Sequence, residues 1–164
     1  MEKIEISFKY TKEEYVKAFR EYLLLTKTIK KRDMIVAVLV IIFSTIWLIL
    51  SKEILSGVCL LCGFLFFILS CNLYYWMPGR NFSQNSKFRE EYNLTFSNEG
   101  IQFKTDSINS DLKWSTYVNS MESEEFFYLI QAKQVFSVIP KRVFESVEVE
   151  NGFREMVLKN LNLK

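Results

Sequence analysis

Two almost uncharged apolar runs, Met34–Leu50 and Ile54–Trp76, dominate the pattern of the chain, and only Ser51, Lys52 and Glu53 separate them. The runs hold 17 and 23 residues, at and above the length that carries a helix across ~30 Å of hydrocarbon. Backbone groups meet no water there, so each run must satisfy its own hydrogen bonds as a helix. A three-residue connection leaves room only for a turn, which predicts an antiparallel transmembrane hairpin over residues 34–78. Small residues recur every seven positions: Ala37, Ser44 and Ser51 in the first run, Ser56, Gly63 and Ser70 in the second. Folding at the turn brings Ser51 to Ser56, Ser44 to Gly63 and Ala37 to Ser70, a seam along which helix backbones approach closely.

Before the hairpin, Ile4, Ile6, Phe8 and Tyr10 alternate with polar residues, the period of a half-buried strand. Thr11 and Glu14 then form a capping-box pattern. Tyr15, Ala18, Phe19, Tyr22, Leu23, Thr26 and Ile29 follow at helical spacing. Residues 1–33 thus read as a strand and an amphipathic helix, which can lie on a membrane surface or against a soluble domain.

Over residues 86–164 the texture changes to short alternating runs broken by turn signals. Strands are predicted at Tyr92–Phe96, Ile101–Phe103, Leu112–Trp114, Val118–Met121, Phe126–Ile130 and Phe136–Ile139, the last ended by Pro140. Ser97-Asn98-Glu99-Gly100 reads as a turn in which Gly100 takes a positive φ. Trp114 reads as a core anchor whose indole N–H needs one acceptor. Ser146 then caps a closing helix with Glu148 and Glu150 in its first turn and Phe153, Met156, Val157 and Leu161 on its apolar face.

Charge adds orientation. Over 164 residues the net charge is only +2, but Lys27, Lys30, Lys31 and Arg32 stand just ahead of the first span. Arg80, Lys87 and Arg89 follow the second, against Lys52 alone in the turn. The positive-inside rule then gives a multi-pass cell-membrane protein with both termini cytoplasmic. Trp47 at the far end of the first span, and Tyr74, Tyr75 and Trp76 closing the second, are interfacial ring types. No signal-peptide pattern is evident, so the first span is expected to direct insertion.

Chemistry is thin. There is no histidine, which removes the usual general base, the histidine-activated nucleophile pairs and the commonest metal ligand. Cys59, Cys62 and Cys71 all lie in the second run. The Cys59-x-x-Cys62 spacing lacks the βαβ context and nearby cation of a redox pair, so it reads as helix packing. Neither span holds an ionisable residue, so no proton relay is expected. Asp106, Asp111, Glu124 and Glu125 fall in loops without metal or acid–base spacing. No catalytic residue, metal or cofactor is expected, and no basic stripe with interleaved aromatics calls for nucleic acid. The candidates for contact with anionic lipid or phosphate are Lys27, Lys30, Lys31, Arg32, Lys141 and Arg142; a membrane-flanking role is the reading for the first four, and solvated surface charge for Lys141 and Arg142.

The residues Leu94-Thr95-Phe96-Ser97-Asn98-Glu99-Gly100-Ile101, Trp114-Ser115 and Ile139-Pro140-Lys141-Arg142-Val143-Phe144, behind two spans and a strand–helix segment, resemble the YcxB-like proteins of bacteria. That resemblance implies an α+β membrane protein. Its cytoplasmic domain would be a pleckstrin-homology-like β-barrel or sandwich closed by the C-terminal helix, and the family brings no catalytic residues. Such a domain uses seven strands, whereas six are countable after Phe88. The strand at Ile4–Tyr10 is expected to complete it, beside Tyr92–Phe96 or Phe126–Ile130. The functional expectation is a membrane-anchored cytoplasmic interaction module, not an enzyme, that binds a protein partner or anionic lipid head groups. The alternative is a small oligomeric transport or pore subunit, and a homo-oligomer is compatible with either.

Overall fold

The computed structural model describes residues 3–132 and 135–161, apart from the side chain of Lys31. The chain runs through strand β1 (Ile4–Lys9) and helix α1 (Lys12–Leu25) into the apolar helices α2 (Lys31–Ser51) and α3 (Ile54–Cys71). A π-helical turn at Asn72–Trp76 leads into α4 (Met77–Gln84). Strands β2 (Glu91–Ser97), β3 (Gly100–Lys104), β4 (Asn109–Leu112), β5 (Asn119–Glu122), β6 (Phe126–Ala132) and β7 (Val135–Pro140) follow, and α5 (Val147–Leu161) closes the chain. These elements form two compact units, Met1–Glu14 with Asn85–Lys164, and Tyr15–Gln84.

In the first unit, β1 pairs antiparallel with β2 across the whole hairpin insertion, Ile4 opposite Phe96 and Phe8 opposite Tyr92. This is the first of the two edges named for it above. Its alternation buries Ile4, Ile6, Phe8 and Tyr10, while Glu5, Ser7 and Lys9 stay exposed. The sheets are β1-β2-β3-β4 and β5-β6-β7. Among the described residues no ladder joins them, so the expected barrel is corrected to two separate antiparallel sheets. The reason is local at both junctions. After β4 the chain leaves the ladder for a 3₁₀ turn at Trp114–Thr116. At the other junction the Tyr10 hydroxyl donates to the Val138 carbonyl, a side-chain contact in place of a strand pair.

Trp114 therefore opens that turn rather than ending a strand, and its indole N–H donates to the Ser97 carbonyl at 2.7 Å. Gly100 is also corrected, because no glycine has a positive φ among the described residues. A Cβ at Gly100 would lie 2.6 Å from the Leu112 carbonyl oxygen, so close approach of two backbones requires glycine here. At the centre, Phe153 of α5 sets its ring against Phe96 at 4.8 Å and against Phe127 and Phe144, each at 5.1 Å. The Ser146 hydroxyl accepts from the Val149 N–H at 3.4 Å and so caps α5.

In the second unit, α2 and α3 are antiparallel neighbours joined by Lys52 and Glu53 alone. Lys52 takes φ 54° and donates its N–H to the Leu48 carbonyl, a left-handed helix end without the usual glycine. Arg32–Ser51 and Ile54–Gln84 are long and apolar enough to cross a membrane by length and composition. Ala37, Ser44, Ser56 and Gly63 are buried, whereas Ser51 is exposed and Ser70 half-buried. The seam thus buries both members of its middle pair and one member of each end pair. Around it Leu39, Phe43, Leu61 and Leu65 are exposed. A Cβ on Gly63 would come within 3.1 Å of Ile41 Cγ1, so Gly63→Leu is expected to push the helices apart. Loss of helix pairing by crosslinking across the hairpin should follow, while Leu65→Ala, on the open face, should leave pairing intact. Equal effects would contradict the seam.

The second apolar helix also continues past its expected end at Trp76, through Pro78, to Gln84. Pro78 carries no N–H, which leaves the Tyr74 carbonyl four residues earlier without its helical donor. The Arg20 Nε–H of α1 donates to that carbonyl at 3.1 Å. Its guanidinium also lies 5.3 Å and 5.4 Å from the ring centres of Tyr74 and Tyr75. Tyr15 and Phe82 meet at 5.5 Å. Tyr15 and Arg20 of α1 thus meet the extension of the second apolar helix.

Candidate functional site

Pro140 ends β7 and turns the chain so that Lys141 and Arg142 point to different partners. Arg142 donates through Nε and Nη2 to the two oxygens of Glu14, at 2.6 and 2.8 Å, and through Nη2 to the Lys9 carbonyl at 3.1 Å. This fork ties the start of α1 and the end of β1 to the turn after β7. It also occupies the Glu14 carboxylate, so the capping box is half made: Thr11 Oγ1 accepts the Glu14 N–H at 3.1 Å.

Lys141 belongs to a cluster of four charges. Its Nζ donates to Glu122 Oε1 at 2.5 Å and lies 3.6 Å from Glu150 Oε1. Arg154 donates to both Glu122 oxygens, Nε at 2.9 Å and Nη2 at 2.7 Å, and through Nη2 to Glu150 at 2.7 Å. Both cations stand over the Phe127 ring, at 5.0 and 5.4 Å, so the cluster roofs a buried aromatic side chain. Hydrogen bonds from Arg154, then those and the charge of Lys141, hold the Glu122 carboxyl down to about 2. The same contacts hold the Arg154 guanidinium above its ordinary value.

A carboxylate depressed on folding stabilises the fold above its unfolded value and loses that contribution as pH falls through its folded value. The stability difference between the protein and Glu122→Gln should therefore be present at neutral pH. It should close as pH falls from 4.5 to about 2, read as unfolding midpoints at stepped pH. A difference constant over that window would remove the cluster from the account.

The other candidates belong to the second unit. Lys27 is exposed and left-handed at φ 54° after α1, and Lys30 directly precedes α2. Lys31 opens that helix, and its side chain lies outside what the structure describes. Arg32 is exposed, with a loose contact of 3.7 Å to Asp33. Lys27 and Arg32 are thus exposed before and at the start of α2, whereas Lys141 and Arg142 are both engaged by acids. Among the described residues, no group of His, Cys, Asp or Glu is placed to hold a metal ion.

Sequence reasoning missed the partners of Lys141 and Arg142. Only Glu150 and Arg154, one helical turn apart, left a local signal. Glu122 lies 19 residues from Lys141 and Glu14 lies 128 from Arg142, and neither left a signal. The donor for Tyr74 had a signal in Pro78, a proline inside an apolar helix that must leave one carbonyl unserved.

Residues 96–157, from Phe96 in β2 to Val157 in α5, match the family model described as YcxB-like protein. This segment is similar to the YcxB-like family. The matching segment holds Glu122, Lys141, Arg142, Glu150 and Arg154; β1, Glu14 and the apolar hairpin lie before it. A curated relative, Uncharacterized protein YcxB of Bacillus subtilis (strain 168), is 27% identical over 100 residues, which cover 61% of this chain and 54% of the relative. The match therefore spans about half the length of that relative. No solved structure matches the chain.

Proposed function

We propose that the protein is a membrane-anchored cytoplasmic interaction module. The hairpin α2–α3 crosses the bilayer, and a pleckstrin-homology-like domain stands beside the membrane to bind a protein partner or anionic lipid head groups. The single observation that carries this reading is the pairing of β1 with β2 across the hairpin. Strands on either side of the insertion share one sheet, so an insertion that enters a bilayer must return to the side it left. Two apolar spans meet that condition. The exposed Lys27 and Arg32 at the entrance of α2 fit the cytoplasmic face. Among the described residues, seven strands in sheets of four and three with a closing helix support the pleckstrin-homology-like reading.

Photo-crosslinking in intact cells tests the module. A photoreactive side chain at Asn98, in the exposed β2–β3 turn, should give discrete adducts with a second protein species or with anionic lipid. A ladder of self-adducts alone would contradict the module and support the oligomeric pore.

A further inference from the structure

We propose that the open edge of β1 takes up an extended segment of a protein partner, one that alternates apolar with basic residues, as an added strand. This deepens the module reading and rests on it for the partner being a protein.

The main-chain directions follow from register. The β2–β3 hairpin has Ser97 opposite Gly100 with two residues between, a closing pair that exchanges hydrogen bonds. Alternation then turns the main chain of Ser97, Thr95 and Asn93 towards β3, and that of Phe96, Leu94 and Tyr92 towards β1. There they meet Ile4, Ile6 and Phe8. Glu5, Ser7 and Lys9 are left to direct N–H and C=O away from the sheet. Lys9 shows that direction independently, because its carbonyl accepts from Arg142 at 3.1 Å.

Glu5 and Ser7 instead face a cleft of about 570 Å³, bounded on its far side by Phe144, Glu145, Glu148 and Val149. The cleft separates the free edge of β1 from the connection after β7 and the first turns of α5. A strand laid along β1 here would alternate its side chains. One set would face Phe144 and Val149, and the other would lie beside the exposed side chains of Glu5 and Ser7. Charge selects the occupant. Glu5, Glu145 and Glu148 line the cleft against Lys3 alone, and the Ser146 hydroxyl bond that lowers the Glu148 pKa keeps that carboxylate ionised. Main-chain bonds supply affinity in strand addition and alternate side chains supply selectivity.

A second copy fits less well by charge, because its own Glu5 would enter a cleft already lined by Glu5, Glu145 and Glu148.

The test uses the full-length protein in mild detergent and a fluorescent peptide of alternating valine and lysine, about eight residues long, followed by anisotropy. Saturable binding is expected, weakened roughly tenfold or more when alternate peptide amides are N-methylated or lysine is replaced by glutamate. Ser7→Pro removes an outward N–H that β2 does not use and should weaken binding similarly. If Ser7→Pro lowers the unfolding midpoint, the double variant Glu5→Lys, Glu148→Lys replaces it. Absence of saturable binding, or equal binding of the N-methylated peptide, would overturn the proposal. So would a protein dimer that Ser7→Pro dissociates. Membrane insertion is read by a separate labelling experiment, so failure here leaves the anchored-module reading standing or falling by itself.

Discussion

Phe153→Ala is expected to cost the β-rich unit about 3–5 kcal/mol, a large share of the stability of a domain this size. Phe153 is fully buried, at 0% exposure, and its ring is the point where both sheets and the chain after β7 meet. Phe96 comes from the first sheet, Phe127 from the second, and Phe144 from the connection into α5. No neighbouring side chain can fill the space without leaving its own contacts, so the cavity term adds to the lost burial. Leu158 on the same helix is 47% exposed and serves as the control, with Leu158→Ala expected to cost under about 0.5 kcal/mol. Denaturant unfolding of the full-length protein in mild detergent, followed by tryptophan fluorescence, checks both. A loss at Phe153 no larger than at Leu158 would mean that α5 does not close this core.

The second large effect concerns β1. Residues 86–164 expressed alone would lack Ile4, Ile6, Phe8 and Tyr10, all buried in the native sheet, and would expose the β2 edge. Attaching Met1–Thr11 through a flexible linker should raise both solubility and unfolding temperature. Phe8→Ser in the attached strand should abolish the gain. Phe8 stacks on Tyr92 at 5.4 Å and meets Tyr10 edge-on at 5.0 Å, so truncation there removes aromatic packing and buries a hydroxyl; a loss of about 3 kcal/mol is expected. No gain from the added strand, or no effect of Phe8→Ser, would show that β1 is dispensable to the fold.

What the sequence disclosed was what period and length encode. The two apolar helices follow from run length, the middle of the seam from a seven-residue repeat, and β1 from strict alternation over Ile4–Tyr10. Proline and serine marked the end of β7 and the start of α5. Contacts between distant residues were not legible. The Arg142–Glu14 fork and the roof over Phe127 join residues that share no local pattern. Gly100 was read for its conformational freedom, whereas the Leu112 carbonyl beside it, invisible in sequence, sets the requirement. The barrel failed to close for a related reason. Strand count does not report whether two edges exchange hydrogen bonds or only touch through Tyr10 and Val138. Among the candidate charges, position was legible and availability was not: Lys141 and Arg142 have acid partners, while Lys27 and Arg32 lie exposed at the entrance of α2.

The central claim is that the α2–α3 hairpin is a membrane insertion whose two ends return to the cytoplasm, where β1 meets the strands after it. A variant with Cys59, Cys62 and Cys71 replaced, carrying either Lys52→Cys in the hairpin turn or Asn109→Cys at the start of β4, measures this in intact cells with an impermeant thiol reagent. The account predicts labelling of Lys52→Cys from outside, and of Asn109→Cys only after the membrane is permeabilised; labelling of Asn109→Cys in intact cells would contradict it.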